Sequence, residues 1–142
     1  MIDLDNRTDY DFDIDFLEKI AQNLTNRDIE LILTDDAEIK AINHEFRNVD
    51  KPTDVISFPL EETPGALLGV IVISVDKVLE ATQKFGHTPK EELALLFIHG
   101  LLHLLGYDHE KDNGEMREKE KEIIDKFGLP KSLIVRNEDL DG

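Results

Sequence analysis

The stretch Thr88 to Gly106, TPKEELALLFIHGLLHLLG, constrains the fold more than any other part of the chain. Thr88 stands where a helix N-cap belongs, Pro89 at the first helical position and Glu91 at the third, which together predict a capping box with a proline start. The apolar run that follows, Leu93 to Leu105, is interrupted by two histidines, His99 and His103, and has no polar face, so this helix must be buried rather than laid on a surface. It is also well short of the roughly 20 residues a membrane-spanning helix needs. Gly106 can adopt the left-handed conformation that ends a helix and turns the chain back.

The remaining chain supplies elements to bury that helix. Phe12, Phe16, Ile20 and Leu24 repeat at helical spacing and predict a first helix. The aliphatic run Ile29 to Leu33 is too short for a helix and reads as a strand. DDAEIKAINHEF predicts a helix with two Asp at its favourable end and its close near Arg47. RNVDKPTD is a loop, VISF a short strand closed by Pro59, residues 60 to 66 another loop, and LLGVIVIS a strand apolar enough to be buried on both faces. A helix from Asp76 to Phe85, stopped by Gly86, and a charged helix from about Glu115 to Phe127 complete the chain, with a frayed end over the last seven residues. Helices among three short strands indicate an α+β fold, a small mixed sheet packed with helices, and the length of 142 residues suits a single domain over 1–142.

Composition narrows the chemistry. With no cysteine, disulfides, thiolate metal sites and a Cys nucleophile are excluded, and any metal must be held by His, Asp or Glu. The acidic start, MIDLDNRTDYDFDIDF, lacks the basic-then-apolar pattern of a secretory signal, so a soluble cytoplasmic protein with no membrane association is expected. A net charge of −16 argues against a broad phosphate-gripping face. From Lys40 to Lys90, however, six basic residues stand against seven acidic ones, so a polyanionic substrate would meet the protein in this near-neutral middle. Acidic flanks that only keep the protein soluble would give the same imbalance.

FIHGLLHLLGYDHEKD holds three of the five histidines. One turn apart on a helix, His99 and His103 have Cβ atoms about 6 Å from each other and can reach one ion. Past the Gly106 turn, His109 can approach them from outside the helix. Three nitrogen ligands leave a fourth position for water, the arrangement of a catalytic zinc site. The competing reading is a set of hydrogen-bonded core histidines. A shared ion accounts better for two polar rings in an apolar helix, because it satisfies groups that are costly to bury alone. Three imidazoles also suit nickel, copper or iron.

The spacing follows the metzincin protease pattern H-E-x-x-H-x-x-G-x-x-H except that Gly100 replaces the general-base Glu. A zincin-like helix without that carboxylate has lost the group that takes the proton from water. What remains suits a reaction in which a cation elsewhere binds an anionic transition state. Arg47, at a helix end beside the RNVDKPTD loop, is the candidate, its fork of donors matching phosphate oxygens; a plain surface arginine near a helix C-terminus is the alternative. Lys51 and Thr53 in the same loop are candidate substrate contacts, or else an exposed loop lysine and a turn residue. Asp108 either orients a histidine or caps a turn. Asp54 is read as a loop cap, and His44 and His87 as surface residues.

HGLLHLLGYDH, His99 to His109, and NHEFRNVDKPTDVISFP, Asn43 to Pro59, with LLGVIVIS between them in chain order, together resemble the YbeY-type endoribonuclease family across about residues 28 to 125. The resemblance implies a single-strand-specific, metal-dependent endoribonuclease acting in 16S rRNA maturation and ribosome quality control. It implies zinc on His99, His103 and His109, with Arg47 and His99 in the catalytic machinery. The partners so implied are single-stranded RNA, rRNA and the ribosome or a ribosomal protein, with no nucleotide cofactor. One departure is visible: many members carry Asp after the glycine of the strand motif, where this chain has Val70. The competing functions are a non-catalytic metal-binding ribosome-associated factor and a zinc metalloprotease lacking its Glu.

Overall fold

The structure is a computed structural model, and it describes residues 1–60 and 66–133. Its elements are β1 (Ile2–Asn6), α1 (Asp15–Leu24), β2 (Ile29–Thr34), α2 (Asp36–Arg47), β3 (Val55–Pro59), β4 (Gly69–Ser74), α3 (Val75–Phe85), α4 (Pro89–Leu104) and α5 (Glu115–Lys126). The strands form one sheet in the order β1-β2-β4-β3. β1, β2 and β4 run parallel, with Ile2 opposite Ile29 and Ile29 opposite Gly69, while β3 pairs antiparallel with β4, Ser57 opposite Ile71. The expected α+β fold with a small mixed sheet is thus present, and β3 lies at one edge of that sheet.

α4 is the helix the sequence demanded. Thr88 Oγ1 accepts from the Glu91 N–H and Glu91 Oε1 accepts from the Thr88 N–H, closing the capping box ahead of Pro89. At the other end Gly106 has φ 99°, its N–H donates to the His103 carbonyl, and Tyr107 N–H donates to Leu102 O. These are the paired bonds of a Schellman cap. Between the caps Leu95, Leu96, Phe97 and Ile98 are all at most 1% exposed, each burial favouring the fold by about 1.5–3 kcal/mol. They are covered because α4 packs on β3 and β4 and against α1, α3 and α5.

Alternation along the strands divides the sheet into two faces. Val55, Ile71 and Ile73 join the main core around α4, whereas Ile56 and Val72 pack with Ile39 of α2 on the other side. Val70 packs with that second cluster. Its side chain therefore belongs to the α2 face.

The sequence reading needs correction at the N-terminus. Among the described residues there are four strands rather than three, because Ile2–Asn6 forms an edge strand whose alternating Asp residues mask it; Ile2 is buried while Leu4 is 38% exposed. α1 begins at Asp15, after Asp13 Oδ1 accepts from the Asp15 N–H, so Phe12 reaches the core from outside the helix. Most of the loop expected at 60–66 and the end expected to fray lie outside the described residues. Among the described residues no helix is long and apolar enough to cross a membrane.

Candidate metal centre

His99 and His103 project from the last turns of α4, and His109 follows the Gly106 turn. One ligand nitrogen from each of the three lies within 4.8 Å of the others. The Nε2 atoms of His99 and His103 are 3.2 Å apart with the rings edge-on at 80°. Nδ1 of His103 is 3.1 Å from the Tyr107 carbonyl oxygen. A carbonyl only accepts, so that Nδ1 carries the proton and Nε2 points a lone pair at His99. Two facing ring nitrogens at this distance are stabilised by a proton or a cation held between them. Nδ1 of His109 is a further buried nitrogen, without a hydrogen-bond partner among the described residues. Three converging imidazole nitrogens fit a borderline-soft divalent ion such as zinc.

The cleft beside the histidines encloses about 420 Å³. His103 and His109 line it together with Arg47 from the end of α2, and Ile56, Ser57 and Pro59 of the edge strand β3 lie along it. Arg47 is carried here because Asn48 takes the left-handed conformation, φ 57°, and ends α2 at that point. Asp108 also lines the cleft. Its Oδ1 accepts from the Glu110 N–H at 3.1 Å and its carbonyl accepts from Lys111 and Asp112, so it shapes the turn that presents His109.

The other residues singled out in the sequence fall elsewhere. Lys51 is exposed and its carbonyl accepts from Asn43 Nδ2, but it does not line the cleft. Thr53 is buried, 5% exposed, with its hydroxyl 3.4 Å from Asp54 Oδ1. Asp54 accepts from the Val55 N–H at the start of β3, in keeping with a loop cap. His44 is exposed. His87, expected at the surface, is instead 9% exposed, with Nδ1 2.8 Å from Glu92 Oε1 and Nε2 2.6 Å from Ser132 Oγ. The segment after α5 folds over it, a long-range contact that local polarity does not reveal.

Gly100, the residue in place of the protease Glu, faces the sheet. A Cβ there would stand 2.9 Å from Ile71 Cγ2, 3.2 Å from Ser57 Oγ and 3.3 Å from Val55 Cγ2. At position 100 the helix therefore packs tightly on β3 and β4. A carboxylate side chain does not fit there.

With this geometry in view, the comparison with known proteins is direct. The family model of endoribonuclease YbeY matches residues 7–128. The chain belongs to the endoribonuclease YbeY family. It is 66% identical over 139 residues to the endoribonuclease YbeY of Nautilia profundicola, covering 98% of this chain and 100% of that one. It is 61% identical over 145 residues to the endoribonuclease YbeY of Sulfurovum sp., covering 97% and 98%. A Thermotoga maritima protein known from its solution structure is similar at a TM-score of 0.61 and 31% identity, covering 99% of this chain and 97% of that one.

Against this YbeY-family frame, one residue at the cluster was missed. Glu120 of α5 is fully buried, and its Oε1 lies 3.4 Å from Nδ1 of His99, which is also fully buried. It shares the inward stripe of α5 with Met116, Ile123 and Ile124. Its helical phase with those residues was the available signal, hidden in the run EMREKEKEII by acidic and basic neighbours that face solvent.

Proposed function

We propose that residues 1–142 act as one metal-dependent hydrolase domain that cleaves single-stranded RNA. The observation that carries this reading is one cleft that joins a three-histidine cluster to Arg47, in a chain whose relatives are named endoribonucleases. His99, His103 and His109 would hold the ion. When bound, such an ion supplies Lewis-acid polarisation of a phosphate oxygen and a water of lowered pKa.

The chain's own residues supply the rest. Arg47 directs up to two parallel N–H donors at phosphoryl oxygens and stabilises the negative charge that builds on them in the transition state. Gly100 stands where the metzincin pattern carries its general-base Glu, and Glu120 lies behind the His99 ring at Nδ1, so peptide hydrolysis by the metzincin route is disfavoured. Phe46, 63% exposed next to Arg47, offers an apolar face for a nucleobase where the −16 charge leaves little basic surface. Lys51, exposed outside the cleft, would meet a phosphate of a longer strand, whereas the burial of Thr53 favours a role in shaping the loop. Zinc as the ion, 16S rRNA maturation and ribosome quality control as the setting, and a cytoplasmic site of action complete the reading.

The test is cleavage of a labelled single-stranded RNA by zinc-loaded protein, with and without chelator, alongside Arg47→Ala and His109→Ala proteins prepared identically. Metal-dependent cutting lost in both variants supports the hydrolase. Equal cutting by all three identifies a contaminating nuclease. No cutting of naked RNA or ribosomes by verified zinc-loaded protein turns the reading towards a non-catalytic ribosome-associated factor. A cyclic phosphate on the products would identify the RNA 2′-hydroxyl as nucleophile; its absence would favour water.

A further inference from the structure

Glu120 presents a problem of buried charge. Its residue is 0% exposed, neither carboxylate oxygen has a hydrogen bond of good geometry, and among the described residues no Lys or Arg pairs with it. A carboxylate isolated in this way would cost several kcal/mol, of order that for any uncompensated buried ion. Among the described residues, its polar neighbour is the imidazole of His99, with Oε1 3.4 Å from Nδ1. On the far side of that ring, Nε2 faces the His103 Nε2 at 3.2 Å. The three groups lie in series: carboxylate, imidazole, and the point where the histidine nitrogens converge.

We propose that Glu120 is a positioning residue of the metal centre: by holding the His99 proton on Nδ1, it turns the Nε2 lone pair inward and offsets the charge of the bound cation through the ring. This rests on reading the histidine cluster as a metal centre. While both rings are neutral and His103 keeps its proton on Nδ1, the two facing Nε2 atoms can share a proton only if His99 is protonated on Nε2. A carboxylate at Nδ1 holds the proton on the opposite side of the ring. With His103 fixed in the same tautomer by the Tyr107 carbonyl, both Nε2 atoms present lone pairs, a repulsive pair that a divalent cation converts into two bonds. The carboxylate is thereby supplied with the positive charge that no lysine or arginine gives it.

The test compares wild-type, Glu120→Gln and Glu120→Leu. Zn²⁺ dissociation constants come from competition with a chelator, and metal-free thermal unfolding is followed by circular dichroism. Glu120→Leu should weaken Zn²⁺ binding by about 10- to 100-fold, with Glu120→Gln, which keeps a carbonyl acceptor, intermediate. The metal-free Leu protein should unfold no earlier than wild-type, because a buried carboxylate without a good partner has been removed. A merely structural role would give the reverse, lower metal-free stability with unchanged Zn²⁺ affinity. Nitrogen NMR of metal-free wild-type should find the His99 proton on Nδ1, a measurement that does not depend on whether the Leu variant folds. A proton on Nε2, or wild-type Zn²⁺ affinity in Glu120→Leu, overturns the proposal. If wild-type itself binds no Zn²⁺, the metal-centre reading fails with it; if wild-type binds and the variants match it, only the role of Glu120 fails.

Discussion

The Nε2 atoms of His99 and His103 face each other across 3.2 Å, while the Nδ1 of His103 is committed to the Tyr107 carbonyl. With His99 protonated on Nδ1 as proposed, the two lone pairs oppose each other at the C-terminal end of α4, and a cation relieves the repulsion. Zn²⁺ should therefore raise the unfolding temperature. At a free concentration 100 times the dissociation constant, linkage gives about 2.7 kcal/mol. His109→Ala, which removes the third ring but not the helix, should lose most of that increment when the two proteins are compared by calorimetry at equal free Zn²⁺.

Arg47 lines the same cleft as His103 and His109 and is exposed. Arg47→Ala should lower kcat for RNA cleavage by roughly 100- to 1,000-fold, the range for deleting one donor to a transition-state oxyanion. Zn²⁺ affinity and thermal stability should stay at wild-type values. Arg47→Lys should recover only part of the rate, since a point charge does not reproduce the two-pronged contact. Loss of Zn²⁺ in either variant would mean that Arg47 supports the histidines rather than the substrate.

What the sequence made legible was whatever is written locally. The capping box at Thr88, the Gly106 turn and the spacing of His99, His103 and His109 are each specified within a few residues of themselves, and the structure shows that cap, that turn and those histidines gathered. β1 was not legible, because a parallel edge strand needs only one buried side chain, Ile2, and the rest of its pattern is that of an acidic tail. His87 and Glu120 were misread or overlooked for a different reason. Each is a polar residue whose partner lies far along the chain, Ser132 for one and His99 for the other, and local periodicity carries no record of such pairings.

Gly100 separates a packing role from a lost catalytic one. In Gly100→Ala the helix backbone gains about 1 kcal/mol of propensity, but the new methyl meets Ile71 Cγ2 at 2.9 Å, and overpacking of that kind costs about 1–3 kcal/mol. The variant should be less stable in urea, with Gly100→Glu worse again and gaining no peptidase activity. A stabilised Gly100→Ala would show that α4 can move off the sheet.

His87 ties the N-terminus of α4 to the segment after α5 through Glu92 and Ser132. In His87→Ala the fully buried Glu92 Oε1 loses its bond to the imidazole. The expected loss is about 1–3 kcal/mol of stability, seen as a lower urea midpoint. Ser132→Ala should cost less, because Ser132 is exposed and water replaces its hydroxyl. Neither change should alter Zn²⁺ affinity.

Asp112 gives the α5 end of the site an acid-sensitive support. Its Oδ1 accepts from the Gly114 N–H and its Oδ2 from the Met116 N–H, both at 2.9 Å, and these bonds, the one to Gly114 foremost, hold its carboxyl below the usual range. A carboxyl depressed on folding stabilises the folded state fully above its unfolded pKa of about 3.9. That contribution is lost as pH falls from there through the folded value. In chelator-treated protein, Asp112→Ala should be less stable than wild-type at neutral pH, and the gap should close as pH drops below about 4. A gap independent of pH would mean that the side chain acts through packing, not through charged acceptance of the two N–H groups that start α5.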